Sequence, residues 1–299
     1  MSEWFDEVYQ DNLRLGLRVL KHVYHSQSKF QTIDIVDTEM YGRALALDGC
    51  FMTSDKEEFF YHESLVHPVL CSAPCIEKVL IIGGGDGGTS REVLRYAEVQ
   101  NVRLVEIDGE VVEACKEHMP HIGGSAWQDP RLDLRIEDGV AYVKQEQSGI
   151  YDIILLDSTD PIGPGVGLFN REFYAECKRL LKPHGVLALQ SESPVMMPKG
   201  FASIQHNLRA VFPKVFPYFG PVPIYNTGIW SWTYASAEAT PHETNAARVN
   251  MIVPGCRYYN EAVHRGMFAV PNYVKGLLHS DPLTLEKQTD NKVKAAPLA

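Results

Sequence analysis

The sequence contains no apolar run that approaches the ~20 residues needed for a membrane-spanning helix. Its first residues, 1–7, are acidic and lack the basic-then-apolar pattern of a secretory signal. Basic residues are also few, with 28 Lys and Arg against 38 Asp and Glu, and the net charge is -10. Non-specific nucleic-acid binding requires a basic surface. We therefore expect a cytoplasmic protein that binds neither membranes nor nucleic acid, and its acidity would suit a cationic ligand.

Cysteine and histidine occur without the spacing of a metal site. The six cysteines are scattered along the chain, and only Cys71 and Cys75 are close in sequence. No second pair completes a zinc-binding set, and the eleven histidines show no metalloprotease spacing. Free, mostly buried thiols are expected. The 45% apolar and 22% charged residues are those of an ordinary globular protein.

Two zones of different pattern follow each other along the chain. From 1 to 74, alternating segments such as 31–37 and 43–47 predict a small antiparallel β domain, followed by a helix over 57–70. From 75 to 299, apolar strands alternate with helices, which predicts a Rossmann-like, mostly parallel sheet with helices on both faces. Its predicted strands are 78–82, 102–106, 132–136, 151–156 and 185–190. Its predicted helices are 89–97, 109–118 and 170–181. A closing antiparallel pair of strands is predicted at 215–219 and 229–235.

A glycine-rich loop, 83–88, connects the first of these strands to its helix. The glycines fit the G-x-G-x-x-G pattern of nucleotide sites, which is weak by itself. Asp86 stands where a dinucleotide would place its pyrophosphate, and it would repel that second anion. The loop therefore favours a nucleoside without phosphates and with a positive charge, such as adenosine attached to a sulfonium. Asp86 could equally serve as the N-cap of the helix.

Acidic residues end the next two strands. Glu106 lies 18 residues after Gly88, where an acid typically binds the ribose hydroxyls of a nucleotide. Asp138 precedes Gly139 after the third strand, and it is a candidate acceptor for an adenine amino group. A turn without a ligand is nearly as good an interpretation of Asp138 alone. Three successive strands that each end in an acid favour a ligand site.

Two more carboxylates, Asp157 and Asp160, directly follow the strand 151–156. In open α/β sheets, ligands bind at the carboxyl ends of the strands. Two acids in a Pro- and Gly-rich loop at this place suit a site that holds a cation and accepts a proton. The alternative is that Asp160 only stabilises a turn before Pro161.

Taken together, these residues resemble the polyamine aminopropyltransferases, most closely the bacterial spermidine synthases. The resemblance covers nearly the whole chain and rests on the segments 47–49, 58–63, 83–88, 105–108, 137–139, 157–164, 225–228 and 256–260. It implies transfer of the aminopropyl group of decarboxylated S-adenosylmethionine to putrescine, which yields spermidine and 5′-methylthioadenosine. It also implies a class I methyltransferase-type sheet and a homodimer or homotetramer. Neither a metal, a covalent intermediate nor a cofactor is implied, because the donor is a co-substrate.

The resemblance also implies roles for individual side chains. Asp157 would remove the proton of the attacking amine, Asp160 would help hold that amine, and Asp86 would bind the ammonium of the donor's aminopropyl group. The 163–167 segment would be a mobile lid. The other implied contacts are those of Tyr61, Tyr225 and His62 with the amine, and those of Gln31, Glu106, Asp138, Gly139 and Pro164 with the nucleoside.

Departures from the family pattern lie near the amine. Met52 stands where the family often has Gln, and Asn226-Thr227 replaces a Pro-Ser or Pro-Thr pair. Cadaverine, agmatine and spermidine therefore stay open as alternative acceptors. Trp4 and Trp230 resemble positions near the far amine of the acceptor, and Gln190 lies at a strand end that faces the same crevice.

Two other functions are less well supported by the residues. A small-molecule methyltransferase would use intact S-adenosylmethionine, whose carboxylate Asp86 would repel. A non-catalytic nucleoside or polyamine sensor could have lost its base, yet Asp157, Asp160 and Tyr225 are all present.

Overall fold

The N-terminal part of the chain forms a five-stranded antiparallel sheet in the order β1-β2-β3-β4-β5. The computed structural model describes residues 3–9, 13–161, 163–225, 228–278 and 280. The strands are β1 (Glu3–Tyr9), β2 (Leu13–Gln27), β3 (Thr32–Thr38), β4 (Gly42–Leu47) and β5 (Cys50–Ser54). The predicted segments 31–37 and 43–47 are β3 and β4. The long β1–β2 hairpin was not predicted, although 13–19 alternates regularly, and two register shifts in the pairing of β2 with β3 interrupt that alternation after Val19.

The second sheet has seven strands in the order β11-β12-β10-β9-β6-β7-β8. The strands are β6 (Lys78–Gly83), β7 (Asn101–Glu106), β8 (Leu132–Ile136), β9 (Tyr151–Asp157), β10 (Leu181–Gln190), β11 (Lys214–Gly220) and β12 (Trp230–Ser236). The pairs among β6 to β10 are parallel, and β12 runs antiparallel to both β10 and β11. This Rossmann-like arrangement confirms the predicted fold class.

The strand order reverses between β6 and β9. From β6 the chain continues through β7 and β8 on one side, and it returns to β9 and β10 on the other. Such a reversal opens a crevice at the carboxyl ends of the two central strands. Gly83, at the start of the glycine loop, is paired directly with Asp157. The topology therefore places the glycine loop beside the acid pair that follows β9.

Helices cover the sheets and connect them. They are α1 (Glu58–Leu70), α2 (Gly88–Leu94), α3 (Gly109–His118), α4 (Pro120–Gly123), α5 (Gly139–Gln145), α6 (Arg171–Leu180), α7 (Pro198–Arg209), α8 (Ala246–Ile252), α9 (Glu261–Met267) and α10 (Asn272–Leu278). The helix predicted over 89–97 ends at Leu94, because Arg131 donates hydrogen bonds to the carbonyls of Leu94, Tyr96 and Val99. Among the described residues, no helix has the length and apolar character to cross a bilayer.

Helix α1 joins the two sheets. Its residues Leu65, Val66 and Val69 are fully buried in one apolar cluster that contains Val36 of β3 and Ile81 of β6. Because this core is continuous, side chains on α1 are held rigidly between the sheets. The predicted division between 1–74 and 75–299 falls in the loop between α1 and β6, and it stays a prediction.

Candidate active site

A cavity opens at the carboxyl ends of β6 and β9, where the strand order reverses. Its empty space, with the open mouth included, is about 980 Å³. The sequence-predicted site residues that line it are Gln31, Tyr61, His62, Asp86, Glu106, Asp138, Gly139, Asp157 and Tyr225. Asp160 lies beyond its lining, and the side chain of Pro164 is outside the described part of the chain.

The glycine loop makes room for two of these side chains. A Cβ on Gly88 would lie 2.3 Å from Cε1 of His62, and a Cβ on Gly84 would lie 2.7 Å from Oδ2 of Asp157. Gly84 also has a φ of 77°, in the left-handed region that favours glycine. The glycines therefore have a function beyond the approach to a nucleoside, because they let an imidazole and a carboxylate pack against the loop.

His62 lies between two carboxylates at the centre of the cavity wall. Its Nδ1 is 2.6 Å from Oε2 of Glu58, its Nε2 is 3.4 Å from Oδ2 of Asp86, and its side chain is 2% exposed. Burial lowers the pKa of His62, but the charges of Asp86 and Glu58 outweigh burial and raise this pKa well above its usual value. The sequence placed His62 in the site but did not identify Glu58 as its partner.

Asp86 and Asp157 face the same space in different electrostatic surroundings. Asp86 accepts a hydrogen bond from the Gly88 amide at 2.8 Å. Burial opposes its ionisation, but the charge of His62 leaves the pKa of Asp86 below its usual value. Burial and the charge of Asp86 raise the pKa of Asp157. Two carboxylates whose pKa values are shifted in opposite directions can take different roles. The one with the lowered pKa stays ionised, and the one with the raised pKa can accept a proton.

The Oδ2 atom of Asp157 is buried and has no close hydrogen-bond partner among the described residues, although the hydroxyls of Thr89 and Tyr61 lie near enough to the carboxylate to lower its pKa. A buried carboxylate oxygen without a partner is costly, since it has lost its hydration. It points to a ligand that supplies a hydrogen-bond donor. An amine group is such a donor.

A divalent metal does not fit this cluster. Ligand atoms of His62, Asp86 and Asp157 lie within 4.8 Å of one another. Both ring nitrogens of His62 face carboxylate oxygens, however, an arrangement that favours the doubly protonated ring. A protonated imidazole has no lone pair for a metal, so the cluster better suits an organic cation.

The nucleoside end of the cavity is organised around Asp108, the second acid at the end of β7, to which the sequence assigned no individual role. Oδ2 of Asp108 accepts hydrogen bonds from Ser28 Oγ at 2.6 Å and from Gln31 Nε2 at 3.0 Å. The Asp108 amide donates to Oε1 of Glu106 at 2.9 Å. Burial raises the pKa of Glu106 to about 7. Gln31 and Glu106, from different sheets, are therefore held side by side, as binding of two ribose hydroxyls would require.

Asp138 is both a helix cap and a residue of the cavity wall. Its Oδ1 accepts hydrogen bonds from the amides of Val140 at 2.7 Å and Ala141 at 3.4 Å, so it is the N-cap of α5. It also lines the cavity. The next residue, Gly139, packs closely on β6, because a Cβ there would lie 2.5 Å from Cγ2 of Ile82. Asp138 as an adenine acceptor stays a prediction.

Tyr225 separates the main cavity from a second one. Its hydroxyl donates to the carbonyl of Met52 at 2.9 Å, and its ring lies 6.1 Å from that of Tyr61 and 4.8 Å from that of Trp230. The second cavity is lined by Glu7, Tyr9, Leu13, Leu15, Met196, Met197 and Tyr225. The aromatic side chains therefore stand where a ligand would pass from one cavity towards the other. Asn226 and Thr227 lie outside the described residues.

An acidic cluster lies beyond Tyr225. Burial and the charge of Asp160 raise the pKa of Glu192 to about 9, and burial raises that of Asp160 to about 6. Burial also raises the pKa of Glu7, with Asp160 adding to the shift. Glu192 has a φ of 68°, an uncommon conformation that is often found at functional sites. A cationic ligand would stabilise these carboxylates. Glu7 and Glu192 were missed because no local motif marks them.

Trp4 does not belong to this cluster. It is 57% exposed, and strand alternation places it on the opposite face of β1 from Glu7 and Tyr9. Trp4 therefore does not line the second cavity, contrary to its expected place near the acceptor, and Glu7 and Tyr9 line that cavity from the other face of β1. Trp230, by contrast, is buried against Tyr225.

Gln190 supports the loop that carries the acid pair. Its Nε2 lies 3.5 Å from the carbonyls of both Ser158 and Thr159, and its Oε1 accepts a hydrogen bond from the Glu192 amide at 3.0 Å. Gln190 thus ties the Asp157–Asp160 segment to the acidic cluster. The following residues, Gly163–Leu168, form a 3-10 turn, and Gly165 and Leu168 line the cavity. Lid movement of this segment stays a prediction.

Comparison with known proteins agrees with this geometry. Residues 58–246 match the profile of the spermine/spermidine synthase domain, and residues 3–55 match that of the spermidine synthase tetramerisation domain. A polyamine aminopropyltransferase of Prochlorococcus marinus (strain MIT 9313) is 45% identical over 276 residues, which cover 91% of this chain and 95% of the relative. One from Alkaliphilus metalliredigens (strain QYMF) is 41% identical over 278 residues, 92% of this chain and 97% of the relative.

Solved structures extend the similarity to the fold. A spermidine synthase in complex with the transition-state analogue AdoDATO superposes with a TM-score of 0.89 at 39% identity, over 92% of this chain and 94% of the other. Spermidine synthase from Thermotoga maritima superposes with a TM-score of 0.88 at 38% identity, with the same coverage. The chain therefore belongs to the spermine/spermidine synthase family of polyamine aminopropyltransferases, and it is a transferase.

Proposed function

We propose that this enzyme transfers the aminopropyl group of decarboxylated S-adenosylmethionine to putrescine, and so forms spermidine and 5′-methylthioadenosine. The observation that carries the proposal is the series of buried and half-buried carboxylates along two adjoining cavities. Asp86 and Asp157 stand at the centre, and Asp160, Glu192 and Glu7 stand beyond Tyr225. A donor with an ammonium and a sulfonium and an acceptor with two amines supply cations for this series.

The donor would occupy the main cavity. Gln31 and Glu106 would bind its ribose hydroxyls, and Asp138 its adenine. Its aminopropyl chain would then extend past the glycine loop, where Asp86 would bind the terminal ammonium. This placement leaves the carbon next to the sulfonium near Asp157, because Asp86 and Asp157 flank one space.

The acceptor amine would attack that carbon in line with the sulfonium. Asp157 accepts a proton from the amine, a new N–C bond forms, and the C–S bond breaks with its electron pair passing to sulfur. A raised pKa suits Asp157 to this task. The positive sulfonium nearby lowers the pKa of the amine and eases the same transfer. Most of the remaining rate enhancement comes from positioning.

Product analysis by mass spectrometry tests the proposal. The purified enzyme would receive decarboxylated or intact S-adenosylmethionine with a mixture of putrescine, cadaverine, agmatine and spermidine. Aminopropylated putrescine and methylthioadenosine, formed from the decarboxylated donor alone, are expected. If the enzyme preferred another amine, that amine and not putrescine would be assigned as the acceptor. A methylated product from the intact donor would contradict aminopropyl transfer.

Because Asp160 lies beyond the lining of the main cavity, we assign it to the far amine of the acceptor and not, as the resemblance implies, to the attacking amine. Replacing Asp160 with Asn should raise KM for putrescine about tenfold or more, because one charge-assisted contact is lost. The reaction with 1-aminobutane, which lacks the second ammonium, serves as the matched control and should change little. In the unmodified enzyme, KM for putrescine should rise as pH falls through about 6, where Asp160 takes up a proton. Equal effects on both amines would remove Asp160 from this role.

We also propose a homodimer or homotetramer built through the first sheet. Strand β1 is an edge strand, and its neighbourhood exposes Trp4, Val8, Leu20 and Met40. An exposed edge with large apolar side chains is typical of an association surface.

Light scattering tests this surface. Trp4→Glu combined with Leu20→Glu should lower the molar mass towards that of the monomer, because both charges would be buried at the interface. Met251→Glu, at an exposed apolar residue of α8, is the matched control and should leave the mass unchanged. An unaltered mass in the double variant would place the interface elsewhere.

A further inference from the structure

The His62 ring is fixed in orientation and in hydrogen bonding. Its Nδ1 lies 2.6 Å from Glu58 and its Nε2 lies 3.4 Å from Asp86. A neutral imidazole carries only one N–H, so a ring with an anionic acceptor at each nitrogen is an imidazolium. Gly88 lies directly against the ring, where any Cβ would clash. The ring is therefore held in one orientation, with an anion facing each nitrogen.

Glu58, which faces Nδ1, is itself held from the other side. Arg91 Nη2 donates to Oε2 of Glu58 at 2.8 Å. The same guanidinium donates to the carbonyl of Ile122 at 2.6 Å and to Oε1 of Glu92 at 2.9 Å. Arg91 is thus anchored at three points, and the ion pair ties α1 to α2. A carboxylate fixed in this way can orient a histidine.

We propose that His62 is a permanent imidazolium, positioned by Glu58 and Arg91, whose charge lets Asp86 and Asp157 ionise side by side. The inference rests on the proposed function, which needs one carboxylate as an anchor for the donor ammonium and the other as a base. Like charges this close disfavour each other's ionisation, and a cation between them opposes that effect. All three groups lie within 4.8 Å of one another.

The charged surroundings of His62 are consistent with this state. Glu57 and Glu58 face it from α1, Asp86 from the glycine loop, and Asp157 from the end of β9, while Arg91 acts through Glu58. The nearest anions, Asp86 and Glu58, stabilise the proton of the ring. A cationic ring repels protonated amines, so His62 acts on the substrates through the two carboxylates and not as a direct polyamine contact.

Histidine NMR of the unmodified enzyme is the first test. The ring signal of His62, assigned by its loss in His62→Gln, should remain that of an imidazolium between about pH 6 and pH 8.5, whereas an ordinary histidine titrates near 6.5. A neutral His62 ring at pH 7.5 would overturn the proposal. This measurement needs neither substrate nor turnover, so it decides the state of His62 even if the proposed reaction fails.

Glu58→Gln tests the positioning residue. Removal of the anion at Nδ1 lowers the pKa of His62, so its ring should now titrate within the same pH window. Glu113→Gln removes one carboxylate from the exposed face of α3 and is the matched control. A ring that stays charged throughout in Glu58→Gln would remove Glu58 from this role.

Kinetics of His62→Gln test the consequence for the base. Without the cation, the pKa of Asp157 should rise. In the pH profile of kcat/KM for the decarboxylated donor, the rising limb should therefore shift about one pH unit or more towards alkaline pH. Methylthioadenosine affinity, which reports an intact nucleoside site, should change less than about twofold. An unshifted limb with intact nucleoside binding would overturn the proposal. Absence of aminopropyl transfer by the unmodified enzyme would instead reject the proposed function.

Discussion

Replacing Asp157 with Asn should reduce kcat by a factor of about 10² or more, the usual scale for loss of a general base. Asn has nearly the same shape, so the glycine loop that packs against this side chain should keep its conformation. It cannot accept the amine proton, and transfer would have to rely on the small fraction of amine that is already neutral. Single-turnover rates with decarboxylated donor and putrescine measure the effect.

Two controls separate catalysis from folding in this variant. Methylthioadenosine should bind with nearly unchanged affinity, as measured by calorimetry, because Gln31, Glu106 and Asp138 are untouched. Asp133→Asn, on the solvent side of β8, makes the same chemical change away from the cavity and should leave the rate unaltered. Unchanged turnover in Asp157→Asn would remove Asp157 from the role of base, and loss of nucleoside binding would show that the residue is structural.

Raising pH should reduce the defect of Asp157→Asn. The variant depends on amine that is deprotonated in solution, and alkyl amines have pKa values near 10. Its kcat/KM should therefore continue to increase with pH after that of the unmodified enzyme has levelled off. The unmodified enzyme should lose activity as pH falls, because the raised pKa of Asp157 lets it take up a proton sooner than an ordinary aspartate.

Replacing Asp86 with Asn should weaken the decarboxylated donor by about ten- to a hundredfold, the range of a hydrogen bond to a charged group. Methylthioadenosine carries no ammonium, so its affinity should change less than about twofold. The effect has two sources, since the variant loses the anionic partner and leaves the charge of His62 to repel the donor. Competition binding with both ligands measures the ratio of the two changes.

The matched control for Asp86→Asn is Glu106→Gln, which alters the ribose end of the same cavity. That variant should weaken donor and methylthioadenosine alike, because both contain the ribose. If Asp86→Asn also weakened the two ligands equally, Asp86 would only cap the glycine loop through its bond to the Gly88 amide. The two variants together distinguish an ammonium site from a structural turn.

Much of the fold could be predicted because its signals are local. The central strands 78–82 and 151–156 are short apolar runs because both of their faces are buried, whereas 102–106 and 132–136 alternate apolar with charged residues towards the edge of the sheet. The strand β2 was not predicted, although its first half alternates, and its register shifts after Val19 disturb the alternation that marks a strand. The end of α2 was also missed, because Arg131, far along the chain, terminates it.

The candidate site was predictable in part for a related reason. Asp86, Glu106, Asp138 and Asp157 follow strands of one parallel sheet, and the carboxyl ends of such strands meet at one edge. Glu7, Glu58 and Glu192 belong to no motif of this kind. They join the site only through contacts between elements distant in sequence, and Trp4 was misplaced because the resemblance did not reveal which face of β1 is exposed.

The sequence by itself determined the order of the elements, the acids at the strand ends and the family, because each depends on residues close together in the chain. Only the tertiary structure decided which charges meet. The pairing of β6 with β9 brings Asp86 beside Asp157, and α1 places His62 close to both. Electrostatic interactions depend on distances in space and on burial, so the division of roles among these carboxylates exists only once the chain has folded.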